Sequence, residues 1–231
     1  MQVTAIIVAG GQGIRMGAPI RKQYLKLSGR PILSHTVQRF TTCGYCDHVI
    51  LVIPPGDTEY CRNEVLTRVE QAHMVTIVSG GAERQDSVYC GLDAVPEKGG
   101  IVLIHDGVRP FVTRNQIQDL IGCAAEKGAC MLGIAAFDTL KMVDDNGCIR
   151  QTLDRSGIYL AQTPQAFQYG LIRKAHEIAR DRNFLGTDDA SLVEQIGHDV
   201  FILPGNRDNI KITAPEDLKI AEAIMVKVFE F

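Results

Sequence analysis

The sequence predicts an α/β chain built as three layers, helices on both faces of a mostly parallel sheet. Two observations carry that expectation. Short β-branched runs recur at Thr4–Val8, Val49–Ile53, Val75–Val78 and Ile101–Ile104, and longer stretches of helical spacing separate them, as with Ile32, Val37 and Phe40. The runs are also apolar throughout rather than alternating, as strands must be when both faces of a sheet are covered.

The elements follow in order. The first run, Thr4–Val8, passes directly into "AGGQGIRMG", a loop with four glycines and Arg15 between residues 9 and 17. The run at Ile101–Ile104 leads into "HDGVRP" at residues 105 to 110. In open α/β sheets ligands bind beyond the carboxyl ends of the strands, so both segments are expected to face one crevice. The segment "DTLKMVDDNGCIRQTLDRSG", residues 138 to 157, breaks the rhythm. Asn146-Gly147 there separates two strand-like arms and predicts a type I′ hairpin, and a hairpin inserted in such a fold often reaches a partner. In the last segment, Thr213 and Glu216 read as a capping box with Pro215 in the first turn, and Leu218, Ala221 and Met225 mark one helix face.

Composition narrows the function. A length of 231 residues with 45% hydrophobic content supports a substantial core, and a net charge of −3 with both signs scattered offers no long-range attraction for nucleic acid or anionic lipid. No apolar run reaches the ~18 residues that a membrane span needs, and a strand-like segment begins almost at Met1, which leaves no room for a targeting peptide. The expected location is cytoplasmic. Of the seven cysteines only Cys43 and Cys46 stand close, with no second pair at zinc-site spacing, so reduced and mostly buried thiols are preferred over a metal or redox site.

The glycine loop is not a P-loop, because Ile14 and Arg15 follow Gly13 where lysine and Ser/Thr are needed. It is a poor dinucleotide fingerprint, because Met16 stands where the third glycine belongs. What remains is a bare backbone that a nucleotide can approach closely, with Arg15 and Lys22 able to neutralise phosphate charge. On spacing alone the two cations read equally well as solvated surface charge.

Seven segments together, "AGGQGIRMG", "KQYLKLSGRPILSHT", "SGGAERQDSV", "IHDGVRPF", "LDRSGIYLAQTPQAF", "TDDASLVE" and "DNIKITAPEDL", resemble in order the 2-C-methyl-D-erythritol 4-phosphate cytidylyltransferases of the non-mevalonate isoprenoid pathway. The resemblance covers nearly the whole chain. It implies a Rossmann-like nucleotidyltransferase fold, taken as one domain over residues 1–231 with a protruding β-hairpin arm at about 138–157. It further implies a homodimer through that arm, transfer of CMP from CTP to a polyol phosphate, and Mg²⁺ bound mainly through the CTP phosphates, with no protein metal site.

Residue roles follow from the resemblance, each beside a plainer reading. Ala9, Gly10, Gly11 and Gly13 match the loop that wraps the nucleotide, which is also a tight strand-to-helix turn. Arg15, Lys22 and Lys211 match the catalytic cations, and Lys211 alone reads as an edge-strand charge. Gly81, Arg84 and Ser87 match the nucleotide-reading segment, although Ser87 also suits a helix start. Asp106 matches a ligand-contacting carboxylate, against a loop-capping role. Arg109 matches an acceptor-gripping residue, against a simple pair with Asp106. Thr139, Arg155, Thr187 and Lys211 complete the acceptor site, with Thr139 and Arg155 serving the neighbouring subunit, and Thr187 reads alternatively as a helix N-cap.

An ionised acceptor phosphate is already a nucleophile, so no strong general base is needed, and the absence of a Cys/His or Ser/His/Asp constellation fits. Four positions depart from the family pattern. Arg21 stands where proline precedes the lysine, Ala82 replaces an acidic residue, and Gly107 and Val108 replace small alanines. Val108 also occurs in ribitol 5-phosphate cytidylyltransferases. That activity, and a nucleotide-binding module without catalysis, are the alternatives.

Overall fold

The computed structural model describes residues 1–11, 20–96 and 98–229. Gly13 and Arg15 lie outside the described residues. In chain order the strands are β1 (Val3–Val8), β2 (Lys26–Leu27), β3 (Arg30–Pro31), β4 (His48–Ile53), β5 (Val75–Ser79), β6 (Ile101–Asp106), β7 (Ala129–Ala135), β8 (Leu140–Val143), β9 (Ile149–Leu153), β10 (Tyr159–Gln168) and β11 (Phe201–Pro204). The helices are α1 (Ile32–Thr41), the short α2 (Thr58–Tyr60), α3 (Arg84–Asp93), α4 (Arg114–Lys127), α5 (Tyr169–Asp181), α6 (Asp189–Gln195) and α7 (Pro215–Phe229).

Seven strands form one sheet in the order β11-β7-β10-β6-β1-β4-β5. The pairs β6-β1, β1-β4, β4-β5 and β11-β7 are parallel, and β10 alone runs against its neighbours β6 and β7. The pleat divides the apolar runs between two cores. Ala5, Ile7, Leu51, Ile53, Ile101 and Leu103 pack with Leu33, Val37 and Phe40 of α1 and Ile117 and Leu120 of α4. Ile6, Ile50, Val52, Val102 and Ile104 pack with Val88 and Leu92 of α3, Ile172 of α5 and Leu192 of α6. Covering on both faces is why these strands read as continuous apolar runs. A third cluster places α7, through Ala221 and Met225, against Leu27, Ile32, Val108 and Ile212.

The hairpin forms, but not with the predicted turn. Strands β8 and β9 pair only with each other, and Met142, Val143 and Ile149 on them are exposed. Of Asn146 and Gly147, only Gly147 takes a positive φ, 76°, whereas a type I′ turn needs both positive. The Asp144 carboxylate instead accepts the N–H groups of Asn146 and Cys148, and Gly147 N–H donates to Asp144 C=O at 2.9 Å. The connection is a three-residue loop with glycine in the left-handed position.

The cap of α7 also shifts by one residue. Pro215 takes the first helical position, so Asp217 rather than Glu216 stands third and accepts from Thr213 N, Thr213 Oγ and Ala214 N at 2.8–2.9 Å. Likewise Asp188, not Thr187, caps α6 by accepting Ser191 N–H. Ser87 is no helix start either: it lies inside α3, buried, and its hydroxyl donates to Glu83 C=O.

Candidate active site

The carboxyl ends of β1, β5 and β6 surround a cavity of about 150 Å³. Residues from five separate segments line it: Ala9, Gly10 and Gly11 after β1, Lys22, then Gly81 before α3 with Arg84 and Ser87 on it, Asp106 at the end of β6, and Lys211. The crevice rule therefore places the two sequence segments together as expected.

The glycine loop is tied to its neighbours by a residue that sequence reasoning passed over. The Gln23 amide, 1% exposed, donates to Ala9 C=O at 2.8 Å and to Gly11 C=O at 3.3 Å. That bond brings the short 3₁₀ turn Lys22–Tyr24 beside the loop and sets Lys22 on the cavity wall. On the other side of the turn Asp57 accepts from Arg21 at 2.5 Å and from Tyr24 Oη at 2.7 Å. Arg21, one of the departures from the family pattern, thus anchors the turn from outside the cavity. Gly107 has an equally local reason: a Cβ there would lie 2.9 Å from Ala9 Cβ and 3.2 Å from Val8 C=O. Val108 is buried beside Phe111 and Ile212, and its C=O accepts Ile212 N–H, which draws Lys211 over the crevice.

Asp106, the last residue of β6 and 7% exposed, is the electrostatic centre. Lys211 Nζ approaches its Oδ2 at 2.9 Å, Arg109 Nε the same oxygen at 3.5 Å, and Arg84 Nε its Oδ1 at 3.3 Å. Burial by itself would raise this carboxyl, but Arg84, Lys211 and Arg109 together hold it well below the usual carboxylate range. Asp106 is therefore ionised and paired with cations, not a loop cap. Arg109 does pair with it, and its Nη1 also donates to Asn209 C=O at 2.7 Å. Lys211 is not on an edge strand; it precedes α7 and reaches the carboxylate directly.

Beneath the cluster lies a chain of neutral hydrogen bonds. Asp106 N–H donates to Thr163 Oγ, Thr163 lies 3.0 Å from His105 Nδ1, and His105 Nε2 lies 2.9 Å from Arg109 C=O. Burial pushes the His105 imidazole down to about 4, so it is neutral. With Thr163 donating to Nδ1, Nε2 carries the hydrogen and donates to Arg109.

Residues 3–227 match the family model described as 2-C-methyl-D-erythritol 4-phosphate cytidylyltransferase, IspD. The chain belongs to this family. A curated 2-C-methyl-D-erythritol 4-phosphate cytidylyltransferase of Geobacter metallireducens is 47% identical over 97% of this chain and 98% of its own length. A bifunctional IspD/IspF enzyme of Desulforudis audaxviator is 46% identical over 96% of this chain, which spans 56% of that longer protein. Among solved structures, a 4-diphosphocytidyl-2C-methyl-D-erythritol synthase of Anaerococcus prevotii superposes with a TM-score of 0.86 at 32% identity, over 97% of this chain and 96% of that one. None of these named matches is a ribitol phosphate enzyme or a non-catalytic module.

The remaining residues expected from the family stand apart from the cavity. Thr187 is exposed and lines a second, smaller cavity of about 90 Å³ that shares Glu83 and Arg84 with the first. Thr139 and Arg155 are exposed at the base of the hairpin, just before β8 and just after β9, and Arg155 donates to Phe137 C=O. Besides Gln23, sequence reasoning missed Gln162 and Asn209. Gln162 donates to Asn206 C=O at 2.9 Å, and Asn209 Nδ2 to Thr163 C=O at 2.9 Å, which pins the loop carrying Lys211. All three fall within segments that carry the family resemblance, "KQYLKLSGRPILSHT", "LDRSGIYLAQTPQAF" and "DNIKITAPEDL", but no local pattern sets them apart from their neighbours.

The seven cysteines are free thiols, with Cys43 and Cys46 buried 3.7 Å apart. No group of three or more His, Cys, Asp or Glu among the described residues could hold a metal. Asp106 is the aspartate in the main cavity. With only Asp106 and Glu83 as carboxylates lining it, this space fits Mg²⁺ that arrives on a triphosphate better than an all-protein cage.

Proposed function

We propose that this chain transfers CMP from CTP to 2-C-methyl-D-erythritol 4-phosphate, releasing pyrophosphate and 4-diphosphocytidyl-2-C-methyl-D-erythritol. The observation that carries the reading is the cation cluster around Asp106, facing a glycine loop at the strand ends of a family member. An oxygen of the acceptor phosphate attacks the α-phosphorus of CTP, a new P–O bond forms, and the bond to pyrophosphate breaks. The nucleophile is already ionised, so the protein's work is positioning and charge neutralisation.

The roles divide by position. The backbone of Ala9, Gly10, Gly11 and Gly13 cradles the triphosphate, and Gly81, Arg84 and Ser87 hold the nucleoside and its cytosine edge. Arg15, Lys22 and Lys211 stabilise charge on the transferring phosphoryl group. Asp106 orients Lys211 and Arg109 and contacts substrate hydroxyls, while Arg109, Thr139, Arg155 and Thr187 bind the acceptor. Asp106 and the CTP phosphates would hold Mg²⁺, which offsets the triphosphate charge when bound.

The wider organisation belongs to the same proposal. Residues 1–231 act as one nucleotidyltransferase domain, and the arm pairs two copies so that Thr139 and Arg155 reach the other subunit's site. The exposed apolar residues Met142, Val143 and Ile149 on an isolated two-stranded arm support that pairing. Seven free thiols support a reducing compartment, the cytoplasm, and no helix among the described residues is long and apolar enough to cross a membrane. The test is pyrophosphate release with CTP against a panel of polyol phosphates including ribitol 5-phosphate. Turnover selective for the methylerythritol phosphate is expected; equal or better turnover with ribitol 5-phosphate, or none with any acceptor, overturns the reading.

A further inference from the structure

The charged network continues behind the cavity wall. Arg84 opens α3, and two carboxylates from distant parts of the chain share its guanidinium: Nη1 lies 2.7 Å from Asp189 Oδ2, and Nε lies 3.3 Å from Asp106 Oδ1. The shorter contact is with the carboxylate outside the main cavity. Asp189 is 1% exposed, and its other oxygen lies 3.1 Å from Nε2 of the fully buried His176 on α5. His176 Nδ1 has no hydrogen-bond partner among the described residues. Burial by itself would raise the Asp189 carboxyl; Arg84 and His176 hold it low.

A buried carboxylate and imidazole are a costly way to join two helices, since apolar residues of the same volume commonly do it as well or better. The backbone around them shows what the charge is aimed at. Gln165 on β10 donates to Asp188 Oδ2 at 2.7 Å and accepts Ala190 N–H at 3.0 Å, which fixes the start of α6. Gln85, the neighbour of Arg84, donates to Phe184 C=O and accepts Gly186 N–H, which stitches the start of α3 to the same region. Asp189 thus stands on a fixed mount directly behind a long, rotamer-rich side chain.

We propose that Asp189, braced by His176, is a positioning residue that fixes the Arg84 guanidinium against Asp106 before nucleotide binds. The inference rests on the reading of the main cavity as the CTP site. Held between two carboxylates on separate elements, Arg84 loses its freedom in the empty protein, so less ordering remains to be done on binding.

Asp189→Asn keeps the shape and removes the charge. It is expected to lower kcat/KM for CTP by about 10–100-fold, as small misplacements of site groups do. In an Arg84→Ala background the same substitution should change kcat/KM by less than about twofold, because its route of action is gone. His176→Leu should reproduce part of the loss, and His176→Gln, which keeps an N–H donor, should restore it. CTP affinity measured by calorimetry without acceptor should follow the same pattern, and melting temperatures are recorded for every variant. Equal losses in the wild-type and Arg84→Ala backgrounds overturn the inference, as does Asp189→Asn lowering only the melting temperature. Should Asp189→Asn fail to fold, the His176→Leu and His176→Gln pair in both backgrounds decides the same question. A wild-type protein that binds CTP but transfers nothing to the acceptor defeats the functional reading alone, and the calorimetric cycle still judges Asp189.

Discussion

Replacing Asp106 by asparagine tests the electrostatic centre. The substitution is isosteric, so packing is retained while one buried negative charge is removed from among three cations. The carboxylate side chain is 9% exposed, while the partners' side chains are 31% (Arg84), 12% (Arg109) and 40% (Lys211) exposed. Breaking a buried ion pair from one side costs about 3–5 kcal/mol. Arg84 and Lys211 can turn toward water, Arg84 keeps Asp189, and asparagine retains one acceptor oxygen, so the low end, about 3 kcal/mol, is expected. For a chain of this size that lowers the melting temperature by roughly 6–12 °C.

The sign with pH follows from the depressed Asp106 carboxyl. Its stabilisation is present above the unfolded value, about 4, and is lost as pH falls through the folded value. The gap between wild type and Asp106→Asn should therefore be full at pH 7 and narrow only below about pH 4. Thermal unfolding by circular dichroism without nucleotide, at pH 7 and in acid, measures both. An unchanged or raised melting temperature at pH 7 would refute the reasoning, because desolvation of Asp106 would then outweigh its attraction to the cations.

Gln23→Ala leaves the Ala9 and Gly11 carbonyls without their buried donor; steady-state kinetics should show CTP KM raised severalfold, with a stability loss of about 1–3 kcal/mol by denaturant titration. Arg21→Ala breaks a half-exposed pair with Asp57, so stability should fall by under ~1 kcal/mol and kcat should be unchanged, which a tenfold kcat loss would contradict. Lys22→Ala is expected to lower kcat by orders of magnitude with CTP binding within about tenfold, and a variant altered only in KM would speak against its transition-state role. Arg155→Ala mixed with Lys22→Ala should recover up to roughly half the activity of a wild-type dimer per heterodimer if the arm is exchanged. Verified subunit exchange without recovery removes Arg155 from the neighbouring site.

Of the main sheet's strands, β1, β4, β5 and β6 were legible because the evidence for them is local, whereas β7, β10 and β11 were not anticipated. Val49–Ile53 and Ile101–Ile104 announce themselves as apolar runs, and Ile32, Val37 and Phe40 mark α1 by their spacing, since pleat and helix impose periods on nearby residues. Turn and cap chemistry at the hairpin, α6 and α7 was legible to within a residue, whereas at α3 the cap is Glu83, not Ser87. Asn146-Gly147 marked the hairpin, but the Asp144 carboxylate chose its turn; Thr213 marked the start of α7, but Pro215 moved the capping acid to Asp217.

The sequence alone determined the layered α/β class, the crevice at the strand ends, and the presence there of Asp106 and the glycine loop. Only the tertiary structure decided how the charges are shared. Arg84 and Asp189 are 105 residues apart, and Gln162 and Asn209 are 47 apart, yet each pair meets beside the crevice. Apolar periodicity is written wherever one element faces a core, whereas a hydrogen bond or ion pair between distant segments leaves no period in either. Such contacts exist only once β10 inserts beside β6 and the starts of α3 and α6 converge at the same end of the sheet.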